Sequence, residues 1–227
     1  DTPQIDTPHS RRRVSLADYE FADLIDQQDK VRLLIDPTSS YAQAAAYAMG
    51  RAMDDVIIAA ATGTAYTGET GTGTESAQTA IAASVGSTTG LNIPKLAKAK
   101  ETFDLSDVDP SIARHIIVSP EQINNLLNVT EVTSSDFNTV KALVQGEIDT
   151  FLGFKFTVSN RLAKSGNDRT CIAFAQDGIT LGVGKDVSAR IDERADKSYA
   201  TQVYYCMSIG ATRMEQAKVI GITCTEA

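Results

Sequence analysis

Histidine and cysteine are scarce in this chain, with two histidines and three cysteines among 227 residues. A serine or cysteine nucleophile needs a histidine as its base, but His9 lies in a polar opening segment and His115 begins an apolar run. A zinc site needs cysteine and histidine at short spacing, whereas Cys171, Cys206 and Cys224 are far apart. We therefore predict no catalytic residue, no metal site and no cofactor.

Long apolar runs and clustered basic residues are also missing. A membrane-spanning helix needs about 20 consecutive apolar residues, and no run approaches that length, so we predict no contact with a membrane. The 21 basic residues are outnumbered by 29 acidic ones, and the formal net charge is −8. Proteins that bind nucleic acids need clustered lysine and arginine, and the one such run is Arg11–Arg13. The charge therefore argues against a nucleic-acid-binding protein.

The odd number of cysteines in apolar runs predicts reduced, buried thiols.

The most informative segment is residues 11–61, where an extended arm leads into a long helix. Apolar and polar residues alternate imperfectly over residues 11–20, which predicts a strand. The next apolar positions predict a short helix over residues 24–35.

The long helix is predicted over residues 37–61. Asp36 is a good N-cap, and Pro37 fits the first helical position, where no amide donor is lost. One apolar stripe runs along this helix, and Thr62-Gly63 ends it. The stripe consists of Ala45, Ala48, Met49, Ala52, Met53, Val56 and Ala60, and we predict that it packs on the last strands of the chain.

Residues 62–90 are rich in glycine, threonine, serine and alanine. Such a segment cannot bury enough apolar area to offset its own ordering entropy, so we predict a surface loop or an irregular hairpin. Gly68, Gly71 and Gly73 match no dinucleotide-binding fingerprint. The segment from Gly182 to Asp186 is similar to a phosphate loop, but an aspartate stands where serine or threonine must hold magnesium. We therefore predict no nucleotide site.

The second half mixes strands and helices without a βαβ repeat, which predicts an α+β fold. Ser119 and Gln122 form a capping-box pattern at the start of a helix. Asp177-Gly178 between two alternating runs predicts a β-hairpin. The other predicted elements are a helix after Pro94 with Lys95, Lys98 and Lys100 on its outer face, a strand at 115–118, a helix from 134 to 146, a strand at 154–158, a charged segment at 185–197, and strands around 203–209 and 218–224.

Several stretches of the sequence resemble major capsid proteins of tailed bacteriophages with the HK97-type shell fold. The resemblance covers most of residues 11–227 and lies in the order of its motifs. These are Arg-Arg-Arg-Val-Ser-Leu-Ala-Asp-Tyr-Glu at 11–20, Leu-Ile-Asp-Pro-Thr-Ser at 34–39, Ala-Met-Gly-Arg-Ala-Met-Asp-Asp at 48–55, Gly-Thr-Ala-Tyr-Thr-Gly at 63–68 and Lys-Ala-Leu-Val-Gln-Gly at 141–146.

The resemblance implies an HK97-like α+β capsid fold with an E-loop strand, a spine helix, a peripheral-domain sheet and a mixed axial domain. It implies an N-terminal segment with the E-loop return strand at residues 1–36, and a peripheral domain at 37–114 that contains the spine helix and the Gly/Thr-rich loop. It also implies an axial domain at 115–184 and return strands of the peripheral domain at 185–227. The family's N-terminal arm and outgoing E-loop strand have no counterpart, so we interpret the sequence as N-terminally truncated.

The implied function is that of a major shell subunit. It self-assembles in many copies into an icosahedral head around double-stranded DNA, without sequence-specific binding. Implied partners are further copies of the chain and scaffolding, portal and decoration proteins, and the implied location is the virion, assembled in the host bacterial cytoplasm. The residues themselves leave two alternatives open, which are an encapsulin-like non-viral shell protein and a small-molecule-binding protein that uses the Gly/Thr-rich loop.

Both charge signs occur on the arm, and we predict subunit contacts there. The residues are Arg11, Arg12, Arg13, Asp18 and Glu20. We expect the arm to lie over a neighbouring subunit. Exposed ion pairs are each worth less than about 1 kcal/mol, but a shell repeats them at every contact, so assembly should depend on salt.

Overall fold

The computed structural model describes residues 10–26, 38–77, 80–86, 90–128 and 150–226. Within them lie three α-helices and twelve strands. The helices are α1 (Thr38–Thr62), α2 (Ile93–Leu105) and α3 (Pro120–Leu127). The strands are β1 (Arg12–Arg13), β2 (Ala17–Ile25), β3 (Ala65–Thr67), β4 (Gly73–Glu75), β5 (Arg114–Val118), β6 (Thr150–Phe151), β7 (Phe154–Val158), β8 (Lys164–Ser165), β9 (Asp168–Ala175), β10 (Ile179–Arg194), β11 (Ala200–Arg213) and β12 (Val219–Thr225).

These elements form two compact units. The first contains the described residues among 1–13, 58–180 and 212–227, and the second contains those among 14–57 and 181–211. The predicted peripheral and axial domains stay a prediction, because they describe places in a shell rather than compact parts of one chain. No helix among the described residues is long and apolar enough to cross a membrane.

The first unit is built on a mixed sheet with the strand order β12-β9-β5-β7-β6. β5 and β7 run parallel, and the other neighbouring strands run antiparallel. Inward-facing residues of β5 alternate with outward-facing ones, as expected of a strand with one covered face, so Ile116 and Val118 are fully buried. Leu96 and Phe103 of α2 and Leu126 of α3 belong to the same apolar core.

The Gly/Thr-rich segment forms an irregular hairpin in the same unit, as predicted. β3 and β4 pair antiparallel, and β1 pairs with the other edge of β3. Gly68 and Gly71 in the connection have φ values of 89° and 67°. Only glycine adopts this backbone region readily, which explains why the turn is glycine-rich.

The second unit is a three-stranded sheet, β10-β11-β2, covered by α1. Met49 of α1 packs with Met207 and Ile209 of β11, because one helix face is apolar over successive turns. Ala52, Met53 and Val56 line the same contact. The predicted packing of the stripe on a strand near the end of the chain is confirmed, and the helix ends at Thr62 as expected. Asp36 and Pro37 lie outside the described residues.

Two predictions for the arm were incomplete. The single strand at 11–20 is two strands, since β1 pairs with β3 and β2 pairs with β11 over Ala17–Ile25. The predicted helix at 24–35 is wrong at its start, because Leu24 and Ile25 still pair with β11. The rest of that helix, like the predicted helix at 134–146, lies outside the described residues.

The predicted hairpin around Asp177-Gly178 is wrong in its pairing. The turn exists, since the Gly178 amide donates to the Ala175 carbonyl at 2.8 Å. The strands on either side of it belong to different sheets, with β9 between β12 and β5 and with β10 beside β11. The Gly178 carbonyl accepts from the Met214 amide at 2.9 Å instead, so a turn signal alone did not determine the strand partner.

The predicted position of Lys95 was also wrong. Its side chain is fully buried rather than on the outer face of α2. The Nζ atom donates to the Gly90 carbonyl at 3.0 Å, which provides the polar partner that a buried ammonium requires.

Three glycines of the second unit leave room for the chain segment that precedes β2. A Cβ atom at Gly210 would lie 2.3 Å from the Ser15 carbonyl oxygen. Cβ atoms at Gly182 and Gly184 would contact Val14 and Leu16 respectively. The segment from Gly182 to Asp186, which is similar to a phosphate loop, is therefore part of strand β10, and its two glycines let another segment pack closely.

Gly210→Ala should destabilise the second unit by about 2 kcal/mol, because the added methyl meets backbone that cannot rotate away. Gly50→Ala is the matched control, since a Cβ at Gly50 has no heavy atom within 4 Å. Because Gly50 is exposed and lies inside a helix, Gly50→Ala should stabilise the second unit by about 0.5–1 kcal/mol. Urea unfolding of both variants measures the difference, and equal midpoints would contradict the close approach at Gly210.

Candidate functional site: charged residues of the arm and the outer hairpin

The five predicted contact residues fall into the two units. Arg11, Arg12 and Arg13 belong to the first unit, and Asp18 and Glu20 belong to the second. Because strands point successive side chains to opposite faces, the three arginines have different surroundings.

Arg12 is held inside the first unit. Its Nε atom donates to the Met214 carbonyl at 2.6 Å, and its guanidinium forms an ion pair with Glu75. Only 8% of its side chain is exposed. A group held in this way fixes the fold and does not offer a charge to another molecule.

Arg11 and Arg13 are exposed on either side of Arg12. The Arg11 guanidinium is 4.0 Å from the Glu69 carboxylate, and both side chains are more than three-quarters exposed, at 77% and 88%. Such a pair is strongly screened by solvent. The side chain of Arg13 passes over Gly71, where a Cβ atom would meet its Cδ. These two arginines therefore present charge at the surface of the first unit.

A second arginine completes the polar cluster around Arg12. Arg213 is fully buried, and its guanidinium donates to the carbonyls of Ala61 at 3.0 Å, Gly63 at 2.8 Å and Glu75 at 2.9 Å. Burial lowers the pKa of Arg213 despite the nearby Glu75 carboxylate. Ala61 lies in the last turn of α1, where free carbonyls and the helix dipole favour a cation. Arg213 thus joins the end of α1 to strand β4.

Asp18 and Glu20 lie on β2 and are both exposed. The Glu20 carboxylate accepts from the Tyr204 hydroxyl at 2.9 Å. This hydrogen bond is the main cause that raises the pKa of Tyr204 to about 12. Within the described residues β2 is an edge of its sheet, so its charged face and its outer backbone groups lie at the surface of the unit.

The outer hairpin, residues 179–213, consists of β10, a short 3-10 turn at Ala195–Lys197, and β11. Every residue of β10 from Val183 to Arg194 is exposed except Ser188. Three of these exposed residues are apolar and lie four apart, namely Val183 (52%), Val187 (37%) and Ile191 (49%). β10 is the other edge strand of its sheet in the described part of the chain. Uncovered apolar edge strands are characteristic of surfaces that pair with another chain.

A buried carboxylate near the end of β12 organises the first unit. Glu226 is 1% exposed. It accepts from Ser119 Oγ at 2.6 Å, Arg169 Nε at 2.8 Å and Gln122 Nε2 at 3.3 Å. Burial alone would raise the pKa of Glu226, but these hydrogen bonds outweigh it and lower the pKa to about 2. Ser119 also caps α3 as predicted, by accepting from the Gln122 amide at 3.4 Å.

The described residues contain no group of three or more histidine, cysteine, aspartate or glutamate side chains that could hold a metal ion. His115 stacks on Phe174 at a ring-centroid distance of 5.5 Å. The polar clusters described above hold the chain together or present charge.

Comparison of the sequence with known protein families identifies the class of protein. The sequence profile of the family described as "Phage capsid protein" matches residues 1–226. The chain belongs to this family. It is accordingly a structural protein, a shell subunit of a phage head. A comparison with curated proteins finds no match.

Solved phage capsid structures share the fold. A structure titled "Mycobacterium phage Che8" is similar with a TM-score of 0.68 and 20% identity, over 91% of this chain and 70% of that chain. The acid-stable capsid of Helicobacter pylori bacteriophage KHP30 is similar with a TM-score of 0.69 and 11% identity, over 93% and 76%. The capsid of cyanophage P-SCSP1u is similar with a TM-score of 0.68 and 14% identity, over 100% and 79%. The predicted HK97-like α+β fold is confirmed.

Sequence reasoning missed Arg213 and Glu226, two buried charges of this capsid protein that are each held by three hydrogen bonds. A signal existed for Arg213, since it is a single charge at the end of the apolar run of β11. A buried arginine in such a position requires hydrogen-bonding partners, although the pattern does not identify them. Glu226 follows β12 with no pattern that marks it.

Arg12→Glu should lower the free energy of unfolding by at least about 3 kcal/mol, because it replaces one partner of a buried ion pair with a like charge. Arg11→Glu is the matched control on the neighbouring, exposed position and should change it by less than about 0.5 kcal/mol. Urea unfolding checks both. Equal stabilities of the two variants would mean that Arg12 is not held by Glu75 and Met214.

Glu226 should make stability depend on acid pH. Its pKa is about 2 in the folded chain against an ordinary value of 4.5, so its contribution is fully present above about pH 4.5 and is lost as pH falls towards 2. Glu226→Gln should therefore be less stable than the wild type at pH 7 by about 3 kcal/mol, and the gap should narrow below pH 4.5. Unfolding at pH 7, 4 and 3 measures this, with the exposed Glu121→Gln as control. A stability difference between the wild type and Glu226→Gln that does not change with pH would contradict the lowered pKa of Glu226.

Proposed function

We propose that the chain builds an icosahedral head around double-stranded DNA by associating with many copies of itself through the outer hairpin and the exposed charges of the arm. The observation that carries this proposal is the exposure of β10 over Val183–Arg194. β10 is an edge strand that β11 pairs on one side only, so contact of its free edge with a neighbouring subunit would satisfy its unpaired backbone groups.

Arg11, Arg13, Asp18 and Glu20 are the charges we assign to contacts between subunits. They are exposed, and both signs are present, which suits recognition of a second copy of the same chain. Arg12 is left out of this set because its guanidinium is held within the first unit. Each such contact is weak, but a closed shell repeats it in every subunit.

The net charge of −8 suits an enclosing role. A shell that bound DNA tightly would hinder packaging and release, and like charge limits that adhesion. We propose scaffolding, portal and decoration proteins as further partners, the virion as the location, and assembly in the cytoplasm of a host bacterium. The peripheral domain at 37–114 and 185–227 and the axial domain at 115–184 belong to the same proposal.

The test reverses the exposed charges alone. In the complete gene product, the double variant Arg11→Glu/Arg13→Glu should reduce the yield of shells by at least about tenfold while the subunit keeps its melting temperature, because exposed charges contribute little to folding. Light scattering and electron microscopy measure shells, and circular dichroism measures folding.

Two controls make the result specific. Lys98→Glu/Lys100→Glu reverses two exposed charges on α2 and should leave assembly unchanged. Wild-type assembly at rising salt should weaken, because screening shortens the reach of surface charges. Full-size shells at normal yield from the arm variant would show that the arm makes no assembly contact.

A further inference from the structure

A second polar cluster lies on the face of the β10-β11-β2 sheet that carries Glu20. Cys206 on β11 is at its centre. Lys185 Nζ lies 2.9 Å from the Cys206 sulfur, and Ser188 Oγ lies 3.0 Å from it. Lys185 and Ser188 are three apart on one strand, and regular alternation would place them on opposite faces. Both side chains nevertheless lie within 3.0 Å of the same sulfur atom.

The cluster opens into a concavity of about 470 Å³, a volume typical of small-molecule sites. Its lining residues are Lys185, Ser188, Arg190, Asp192, Arg194, Gln202, Tyr204 and Cys206. Besides Lys185, the charged or titratable residues that line the concavity with Cys206 are Arg190, Asp192 and Arg194 from β10 and Tyr204 from β11. Glu20 of β2 lies opposite Cys206 in the strand pairing. Arg194 is also paired with Asp196 at 2.6 Å.

Cys206 differs from the other two thiols of the chain. The hydrogen bond from Lys185, followed by that with Ser188, lowers the pKa of Cys206 below its ordinary value. Cys171 and Cys224 are fully buried, whereas Cys206 is 9% exposed and lines the concavity. The hydrogen bond with Cys224 and burial raise the pKa of Cys171. The same hydrogen bond lowers the pKa of Cys224, so Cys206 differs from Cys224 by its access to the concavity. A thiolate is the reactive form of cysteine, and a nearby lysine favours it.

We propose that Cys206 is a covalent modification site that reacts with small anionic disulfides, with Lys185 as its positioning and activating residue. The thiol first loses its proton to solvent. The thiolate then attacks one sulfur of the disulfide, a new sulfur–sulfur bond forms to Cys206, and the original bond breaks. The other half leaves as a thiolate with the electron pair, so that Cys206 is oxidised and the departing half is reduced.

The preference for an anionic partner follows from the charge on Lys185. Before the reaction the ammonium faces the Cys206 thiolate. After the reaction the sulfur is neutral, and the ammonium has lost its negative partner. A carboxylate on the attached group restores an opposite charge beside Lys185 and Arg190, whereas a cationic group adds repulsion.

The test compares oxidised glutathione, which is anionic, with cystamine, which is cationic, on the folded chain at low salt. Acid quenching followed by peptide mass spectrometry gives the rate at each cysteine. Cys206 should react at least about tenfold faster than Cys171 or Cys224, because it lines the concavity whereas the other two thiols are fully buried. Oxidised glutathione should be favoured over cystamine by about fivefold or more, relative to the same ratio in the urea-denatured chain, and salt should reduce that preference.

The role of Lys185 has its own readout. In Lys185→Met the midpoint of the pH–rate profile at Cys206 should move to higher pH, and the rate at pH 7 should fall by about tenfold, because the thiolate fraction falls. Lys185→Arg should restore part of the rate. Lys197→Met, at the exposed turn of the outer hairpin, should behave as the wild type. Circular dichroism checks that each variant is folded.

Three outcomes would overturn the proposal. They are a rate at Cys206 no higher than at the two buried thiols, a pH profile that Lys185→Met leaves in place, and equal preference for the two probes. None of these measurements depends on shell assembly, so they test the site independently of the proposed function.

Discussion

The buried guanidinium of Arg213 is the constraint on which the first unit depends. A guanidinium carries five N–H donors and cannot lose its charge, so burying it requires acceptors close by. The acceptors are the carbonyls of Ala61, Gly63 and Glu75, which lie about 140–150 residues away in the chain. One side chain thus fixes where α1 ends, where the β3–β4 hairpin lies and, through the Glu75 carboxylate, where Arg12 and strand β1 must lie.

The second unit is held by a different interaction. Met49, Met207 and Ile209 form a small apolar contact between α1 and β11, and three glycines admit the segment before β2. This core covers one part of the sheet and leaves the distal part of β10 uncovered. A monomeric protein normally shields such an edge. The uncovered strand is consistent with membership of a family whose members are buried among their neighbours in a shell.

Sequence reasoning reached the fold class through local signals. The α1 stripe, the cap of α3 at Ser119 and the glycine-rich hairpin each depend on residues close together in the chain, and the structure has all three. The errors concern partners that are distant in sequence. The Asp177-Gly178 turn is present, but its flanking strands pair elsewhere. Lys95 is buried, with the Gly90 carbonyl as a partner. For the candidate site, strand alternation could have separated Arg12 from Arg11 and Arg13, whereas the partners of Arg213, Glu226 and Cys206 depend on the tertiary fold.

The three successive arginines differ in their surroundings, since Arg12 is held inside the first unit whereas Arg11 and Arg13 are exposed. Arg12 is held by Glu75 and Met214 within the chain, and this contact keeps β1 beside β3. Because β1 is extended, the same contact points Arg11 and Arg13 away from the buried cluster. An internal ion pair shielded from solvent persists at ionic strengths that screen exposed charges. β1 therefore stays beside β3 at ionic strengths that screen the exposed charges of Arg11 and Arg13. If Arg11 and Arg13 contact neighbouring subunits, as we propose, salt should weaken those contacts without unfolding the subunit.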